Sequence, residues 1–307
     1  MFNYLPIQWL FLFFFYSFFG WCFESTYVSI MEKHLVNRGF IRGPFLPLYG
    51  CGGIMMLIAS KPFYDNVLLV FIAGCIGATA LEYITGVVME KLFGVRYWDY
   101  SHKKFNFQGQ ICLESTIVWG VCTVVFTHYM QIPIEMIIMS IPYNIMTVVV
   151  VIETIIFSAD FAIAFRTALD IRDVLMYMER AKSEMARMQK RLDVLIAFKG
   201  EDVKEGIGSR MGGINNRIDA LSNSLESSFN IIKQKMAVDP GAYVSRARDE
   251  VTELYARYRV VMSRFTPAPV KSIYTWYRNR TIAGNPTMSS TMYKASLEEL
   301  KERTKES

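Results

Sequence analysis

Cysteine is missing from the second half of this 307-residue chain, and histidine is scarce throughout it. The five cysteines (Cys22, Cys51, Cys75, Cys112 and Cys122) are scattered through apolar stretches of the first half. Their odd number and placement exclude a disulfide framework and suit small buried hydrophobes. The three histidines, His34, His102 and His128, form no pair at helical spacing. No metal site and no cofactor is therefore assigned. A glycine-rich phosphate loop is also lacking, which excludes ATP hydrolysis by this chain through that motif. No glycine-flanked serine elbow or Cys–His arrangement supports nucleophilic catalysis, so nothing points to an enzyme.

Charge is scarce only on one side of the chain. Residues 1–164 carry 8 Lys/Arg and 10 Asp/Glu, a net of −2, whereas residues 165–307 carry a net of +7. So few charges among long apolar runs cannot solvate a soluble surface, which makes the first half a membrane domain and the second soluble. No basic segment or small-residue cleavage site accompanies the first apolar stretch, so it is read as a span and not as a secretory leader.

Five stretches approach membrane length, roughly 20 apolar residues for a ~30 Å core. They are Ile7–Met31, Phe45–Ser60, Val67–Met89, Ile111–Met130 and Ile134–Ala164. Basic residues crowd the first and third connections (Lys33, Arg38, Arg42; Lys91, Arg96, Lys103, Lys104), and the second has only Lys61. That alternation places the N-terminus outside and the C-terminus in the cytoplasm. The expected fold class is all-α and polytopic, with five spans in the cell membrane followed by a cytoplasmic helical or coiled-coil region.

A shift of 58 positions superposes Glu24 on Glu82 and the ending Met31–Glu32–Lys33 on Met89–Glu90–Lys91. Pro47–Leu–Tyr–Gly50 likewise resembles Ile117–Val–Trp–Gly120. Span pairs 1–2 and 3–4 would then form a parallel repeat.

Ionisable groups inside spans are costly, about 2.5–3.5 kcal/mol each at the centre on insertion scales, and call for an explanation. Glu24, Glu82, Glu114 and Glu153 fall at similar depth toward the cytoplasm, as does Asp160, with Arg38, Arg42 and Asn37 on the same side. Two readings stand: a polar cavity that handles a solute or ion, or a buried ion-pair network that fixes helix register. The run Asn37–Arg–Gly–Phe–Ile–Arg–Gly–Pro44 admits a re-entrant or broken start of the second span, or an ordinary turn.

These residues carry a resemblance. Gly20–Trp21 through Glu24, Asn37–Arg–Gly–Phe40, Gly43–Pro44 and Pro47–Leu–Tyr–Gly50 form one signature. Leu81–Glu–Tyr–Ile–Thr–Gly86, Met89–Glu90, Trp98–Asp99–Tyr100–Ser101, Asn106 and Gly109–Leu113 form a second. Together they resemble the CmpB-type "putative ABC-transporter permease" family over residues 8–160, with Trp98, Asp99 and Asn106 as supporting motif positions. The resemblance implies a multi-spanning bacterial membrane protein and a separate ATPase subunit, but supplies no substrate or catalytic residue.

Three amphipathic helices are expected in residues 165–266. Their seams run from Ile171 to Leu195, from Ile214 to Ile232 and from Val244 to Phe265, with breaks at Gly200–Gly213 and Asp239–Pro–Gly241. They would pack as a bundle, or the first would pair a homodimer. Arg257, Arg259, Arg264, Trp276, Arg278 and Arg280 mix cations with aromatics and suit anionic lipid headgroups; no nucleic-acid partner is expected. Residues 267–307 form a basic, aromatic tail, with a mobile linker from Pro267 to Tyr293. The function expected is that of a permease or small-solute conduit. The alternative is a membrane scaffold that recruits a cytoplasmic partner through its tail.

Overall fold

A computed structural model describes residues 3–197, 217–238, 244–263 and 273–305. The chain divides into two compact units, one made of Met1–Arg172 with Tyr274–Met292, the other of Asp173–Ile273 with Tyr293–Ser307.

The first unit opens with α1 (Pro6–Glu32), followed by α2 (Pro47–Ser60), α3 (Val67–Phe93), α4 (Leu113–Val125), α5 (Gln131–Ser140) and the start of α6 (Tyr143–Ala197). Proline at the first turn starts α1 and α2, where its missing N–H costs no helical bond. The Asn66 side chain caps α3 by accepting from Leu68 N (3.1 Å) and Leu69 N (3.2 Å), and Gly94 ends it in the left-handed conformation. A π turn, Phe126–Met130, joins α4 to α5 without a break. Four helices are long and apolar enough to cross a membrane: Pro6–Glu32, Val67–Phe93, Leu113–Ser140 and Tyr143–Val194. Their large outward side chains, Ile76, Ile84 and Ile155 among them, are exposed, as lipid-facing residues are.

The expected second span is built differently. Its helix, α2, has only 14 residues, about 21 Å at 1.5 Å per residue. The preceding segment, residues 34–46, returns alongside α1 as extended chain. Val36 N donates to Ser29 Oγ (2.9 Å), Arg38 N to Ser25 Oγ (3.2 Å) and Leu46 N to Ser17 O (2.9 Å). Helix α2 then continues until Lys61 Nζ reaches Asn3 Oδ1 at 2.7 Å, beside the start of α1. Return segment and helix together therefore match the length of α1. Residues 37–44 are therefore a bent, non-helical run along α1 that leads into α2.

The register of 58 reappears in the packing. A Cβ on Gly50 of α2 would overlap Ser17 and Phe13 of α1; a Cβ on Gly120 of α4 would overlap Cys75 and Phe71 of α3. Each contact residue on α3 lies 58 positions beyond its counterpart on α1. A third match exchanges large for small: Gly53 packs against Tyr16, while Thr123 packs against Gly74. Two parallel helix pairs with equivalent close approaches result.

At the end of the bundle where α1 begins, Tyr16 Oη donates to Gln131 Oε1 (2.5 Å), and Gln131 Nε2 donates to Tyr4 Oη (2.9 Å). Below them Leu12, Phe14, Leu57, Ile138, Met146 and Val150 form the core.

Helix α6 buries Ile171 at the end of the first unit, continues into the second without glycine or proline, and there buries Leu175, Met178, Ala181, Met185, Met188 and Leu192. Leu175, not the expected Val174, fills the second seam position. The seam lies in a bundle with α7 (Ile218–Val238), α8 (Val244–Ser263) and α10 (Lys294–Lys305). Ile218, Leu221, Leu225 and Phe229 are buried, and Phe229 meets Tyr255 edge-on at 5.1 Å. Polar contacts fix the register: Gln189 Nε2 donates to Ser228 Oγ (2.9 Å), and Lys182 pairs with the buried Glu299 (3.0 Å). The expected seam residues Leu195, Ile214 and Phe265 lie outside the residues whose side chains are described.

The close approaches predict a contrast. Gly50→Val and Gly120→Val should each lower stability by roughly 1–3 kcal/mol through overpacking. Gly52→Ala, where nothing lies within 4 Å of the added carbon, should leave it unchanged or slightly raised. Unfolding midpoints in detergent separate the two outcomes.

Candidate functional site

The site grows from Arg38, the first basic residue of the return segment. Its side chain is buried, and its Nε donates to Glu24 Oε1 on α1 at 3.4 Å. Nη1 donates to Asn285 Oδ1 (3.1 Å), and Nη2 to Tyr97 O (3.2 Å) and Thr287 Oγ1 (3.0 Å). Four of the five guanidinium N–H groups are thereby used. The other carboxylate oxygen of Glu24 accepts from Tyr49 Oη of α2 at 2.7 Å.

Two of those partners come from far along the chain. After α9 (Ile273–Gly284), residues 285–292 form an extended strap across the loops that follow α1 and α3. Ser289 and Arg96 exchange backbone hydrogen bonds (2.8 and 2.9 Å) in an antiparallel bridge. Ser290 Oγ donates to Gly94 O (2.6 Å), Thr291 Oγ1 to Glu90 (2.8 Å) and Asn285 Nδ2 to Gly39 O (3.0 Å). The expected linker from Pro267 to Tyr293 is thus corrected over residues 273–292, which form a helix and an anchored strap; residues 267–272 lie outside the described residues. Its polar, aperiodic composition suits a linker, but Asn285, Thr287 and Ser290 are short polar residues that each hydrogen-bond a backbone carbonyl. Asp99 fastens the strap as well, accepting from Ser289 Oγ at 3.0 Å. Burial alone would raise the Asp99 pKa, but hydrogen bonds from Ser101 and Ser289 and the charge of Arg96 outweigh it and hold the carboxyl below its usual range.

Beside the Glu24–Arg38 pair lies a cavity of about 310 Å³, within the range of small-ligand sites. Leu48 and Cys51 of α2, Leu81, Thr85, Val88 and Leu92 of α3, and Phe161 and Phe165 of α6 supply its apolar walls. Glu24, Arg38, Tyr97 and Asn285 form its polar end. Tyr97 is 6% exposed, and its hydroxyl has no hydrogen-bond partner among the described residues. Burial pushes that phenol above its ordinary pKa, so it stays protonated.

Residues 11–165, just over half of the chain, match the family described as "Putative ABC-transporter type IV". The chain belongs to this family. No curated protein and no solved structure matches it. The family match spans α1 to the membrane half of α6, so it contains Glu24, Arg38 and the apolar walls. The strap, with Asn285 and Thr287, lies outside it.

In this ABC-transporter-type chain the expected carboxylates do not share one cavity. Glu82 is 58 residues beyond Glu24 and has an equivalent partner, because Trp119 Nε1 on α4 donates to it (3.1 Å) where Tyr49 on α2 serves Glu24. Tyr100 Oη (2.9 Å) and Ser115 Oγ (3.5 Å) complete a closed cage around it. Glu114 is exposed and pairs with Lys103 at 2.8 Å. Glu153 on α6 is half-buried and lines none of these contacts, one of its oxygens being buried without a partner. Arg42 lies over the Tyr277 ring, 3.1 Å from its centroid, while Asp160 receives the backbone N–H groups of Arg42 (3.0 Å) and Gly43 (2.6 Å). Asn37 accepts from Trp21 Nε1 (2.7 Å) and donates to Arg42 O (2.8 Å), bracing the return segment.

The supporting motif residues are loop formers. Trp98 Nε1 donates to Gln110 O (3.0 Å) and its ring lines the cavity; Asn106 ties Lys103 O (2.8 Å) to Gly109 N (3.1 Å). Of the cations expected at headgroups, Arg278 pairs with Asp170 (3.6 Å), Arg280 lies over Trp276 (5.4 Å) and Arg257 pairs with Glu253. Arg259 is exposed, and Arg264 lies outside the described residues.

Two measurements follow. Arg38→Met strands Glu24 and should cost about 3 kcal/mol, the low end for a broken buried pair because Glu24 stays a quarter exposed. Adding Glu24→Gln should recover part of that loss, and a double-mutant cycle in thermal unfolding measures the coupling. For the strap, a carboxylate with a depressed folded-state pKa stabilises above its unfolded value, and that contribution fades as pH falls through the folded one. Hydrogen exchange in residues 286–292 should therefore quicken below about pH 4, and Asp99→Asn should remove this dependence.

Proposed function

We propose that this chain is the membrane subunit of a transporter, with the cavity at Glu24 and Arg38 as its solute site. The observation that carries the reading is an apolar cavity that ends on a partly buried carboxylate–guanidinium pair. Membrane-embedded ionisable groups are expensive and face bundle interiors where they serve a solute path. The chain crosses the bilayer five times, the second crossing made by the return segment with α2. Its N-terminus is outside, and the loops after α1 and α3 and the tail are in the cytoplasm of a cell membrane. The basic residues of those loops support that orientation. Energy comes from a separate ATPase subunit, since the sequence has no phosphate loop of its own. Arg257, Arg259 and Arg280 are offered to anionic headgroups at the cytoplasmic surface.

A second reading rests on the separate helical unit that follows Arg172, a scaffold that recruits a cytoplasmic partner. The two readings part in one experiment. Metabolite and lipid profiles of membrane and medium are compared for cells with the native protein, a deletion and Glu24→Gln. Glu24→Gln at normal membrane levels should reproduce the deletion profile, whereas Glu24→Gln cells that match the native profile would overturn the solute site.

A further inference from the structure

We propose that Arg42 and Arg280 together hold the phosphate of one anionic phospholipid against the membrane unit. This deepens the reading that Arg280 meets anionic headgroups, and it is independent of the cavity at Glu24 and Arg38.

The two cations come from distant parts of the chain and meet at one pair of aromatic rings, all within the first unit. Arg42, in the return segment, has its guanidinium 3.1 Å from the centroid of Tyr277 and 6.0 Å from that of Trp276. Arg280, one turn beyond Trp276 on α9, lies 5.4 Å from the same Trp276 ring. Arg278 is neutralised by Asp170 (3.6 Å), but neither Arg42 nor Arg280 forms an ion pair among the described residues. Each guanidinium feels the like charge of the other. Asp160, the carboxylate that acts on Arg42, spends its hydrogen bonds on the backbone N–H groups of Arg42 and Gly43. Two uncompensated cations at one ring repel, and a shared phosphate replaces that repulsion with charge-assisted hydrogen bonds. Nε and Nη2 of Arg42 are sealed and unbonded, so Nη1 is the nitrogen that meets the ligand. Arg280 is exposed and offers its whole fork.

The surroundings favour a lipid over a free anion. Asp160 ties the backbone of Arg42 to α6, a helix long and apolar enough to cross a membrane. Ile156 and Ile163, one turn to either side of Asp160, are exposed, so acyl chains have an apolar surface beside the arginines. Trp276, 54% exposed, is the residue type that settles at headgroup level. A zwitterionic head would bring its own cation to two arginines, which selects a head of net negative charge.

The test is native mass spectrometry of the full-length protein, delipidated in a non-ionic detergent and titrated with phosphatidylglycerol, phosphatidylcholine or glycerol phosphate. One phosphatidylglycerol should be retained at least tenfold more tightly than phosphatidylcholine. Arg42→Gln and Arg280→Gln should each weaken it about tenfold, the worth of a charged hydrogen bond. Lys104→Gln, an exposed cation of the loop after α3, should leave it unchanged. Arg280→Gln should also keep the native unfolding midpoint without lipid, which separates lost binding from lost folding. Glycerol phosphate bound as tightly as phosphatidylglycerol overturns the lipid assignment, because the head alone then suffices. If Lys104→Gln weakens phosphatidylglycerol as much as Arg280→Gln does, headgroup attraction is diffuse and only the built site is lost. If phosphatidylglycerol has no advantage over phosphatidylcholine, the headgroup reading of Arg280 fails as well.

Discussion

The constraint on which this membrane unit depends is that extended backbone beside apolar helices must find every hydrogen bond within the protein. A helix satisfies its own groups; the return segment, residues 34–46, cannot. Three of its N–H groups are met by α1, which places Ser29, Ser25 and the Ser17 carbonyl at successive heights, and two more by Asp160 of α6. Glycine at the facing positions of α2 lets the chain sit close enough to use them. Serines spaced along an aromatic helix would otherwise be poor choices there, since they compete with the helix backbone. Their placement makes sense once the non-helical return segment is seen to run along α1 before α2 begins.

Arg38 extends the same logic from backbone to charge. A partly buried ion pair is weak evidence of stability, because the desolvation cost offsets much of the attraction. Its effect here is geometric. One guanidinium joins α1 through Glu24, the loop after α3 through Tyr97 O, and the strap through Asn285 and Thr287. The fork fixes all three in one plane, which a lysine could not do. Without it the strap would keep the Arg96–Ser289 bridge and its other contacts, among them those to Gly39 and Tyr97, but would lose the one group that binds α1, the loop after α3 and the strap at once.

Much of this was legible in the sequence. The charge asymmetry marked the membrane half, the register of 58 marked the paired helices, and an acid inside a span pointed to Arg38 or Arg42 as the cation for Glu24 or Glu82 without choosing between them. Depth misled for the other carboxylates. Residues at one height on different helices meet only if they also face one another, and hydropathy gives height without azimuth. Glu82 faces α4, Glu114 faces solvent, and Glu153 faces neither. The strap was illegible for another reason. Asn285, Thr287, Ser289 and Thr291 have no period and no apolar face, so their role appears only when the loops they bind are in place. A hint was present in their type, because short hydroxyl and amide side chains are those that cap exposed carbonyls.

Comparison of the two helix pairs shows why one acid lines a cavity and its counterpart does not. Both accept a hydrogen bond from an aromatic residue one position before a closely packed glycine of the following helix, Tyr49 for Glu24 and Trp119 for Glu82. The difference lies in the loop that returns to that helix. The longer loop after α3 folds Tyr100 over Glu82, and Ser115 at the head of α4 fills the remaining side. The shorter segment after α1 has no residue to spare for a lid, and Arg38 approaches Glu24 from one side only. Space beside Glu24 is then bounded by α3 and α6, which contribute apolar walls and not polar partners. The two halves thus share a way of holding an acid, and loop length decides which acid stays sealed and which faces a chamber.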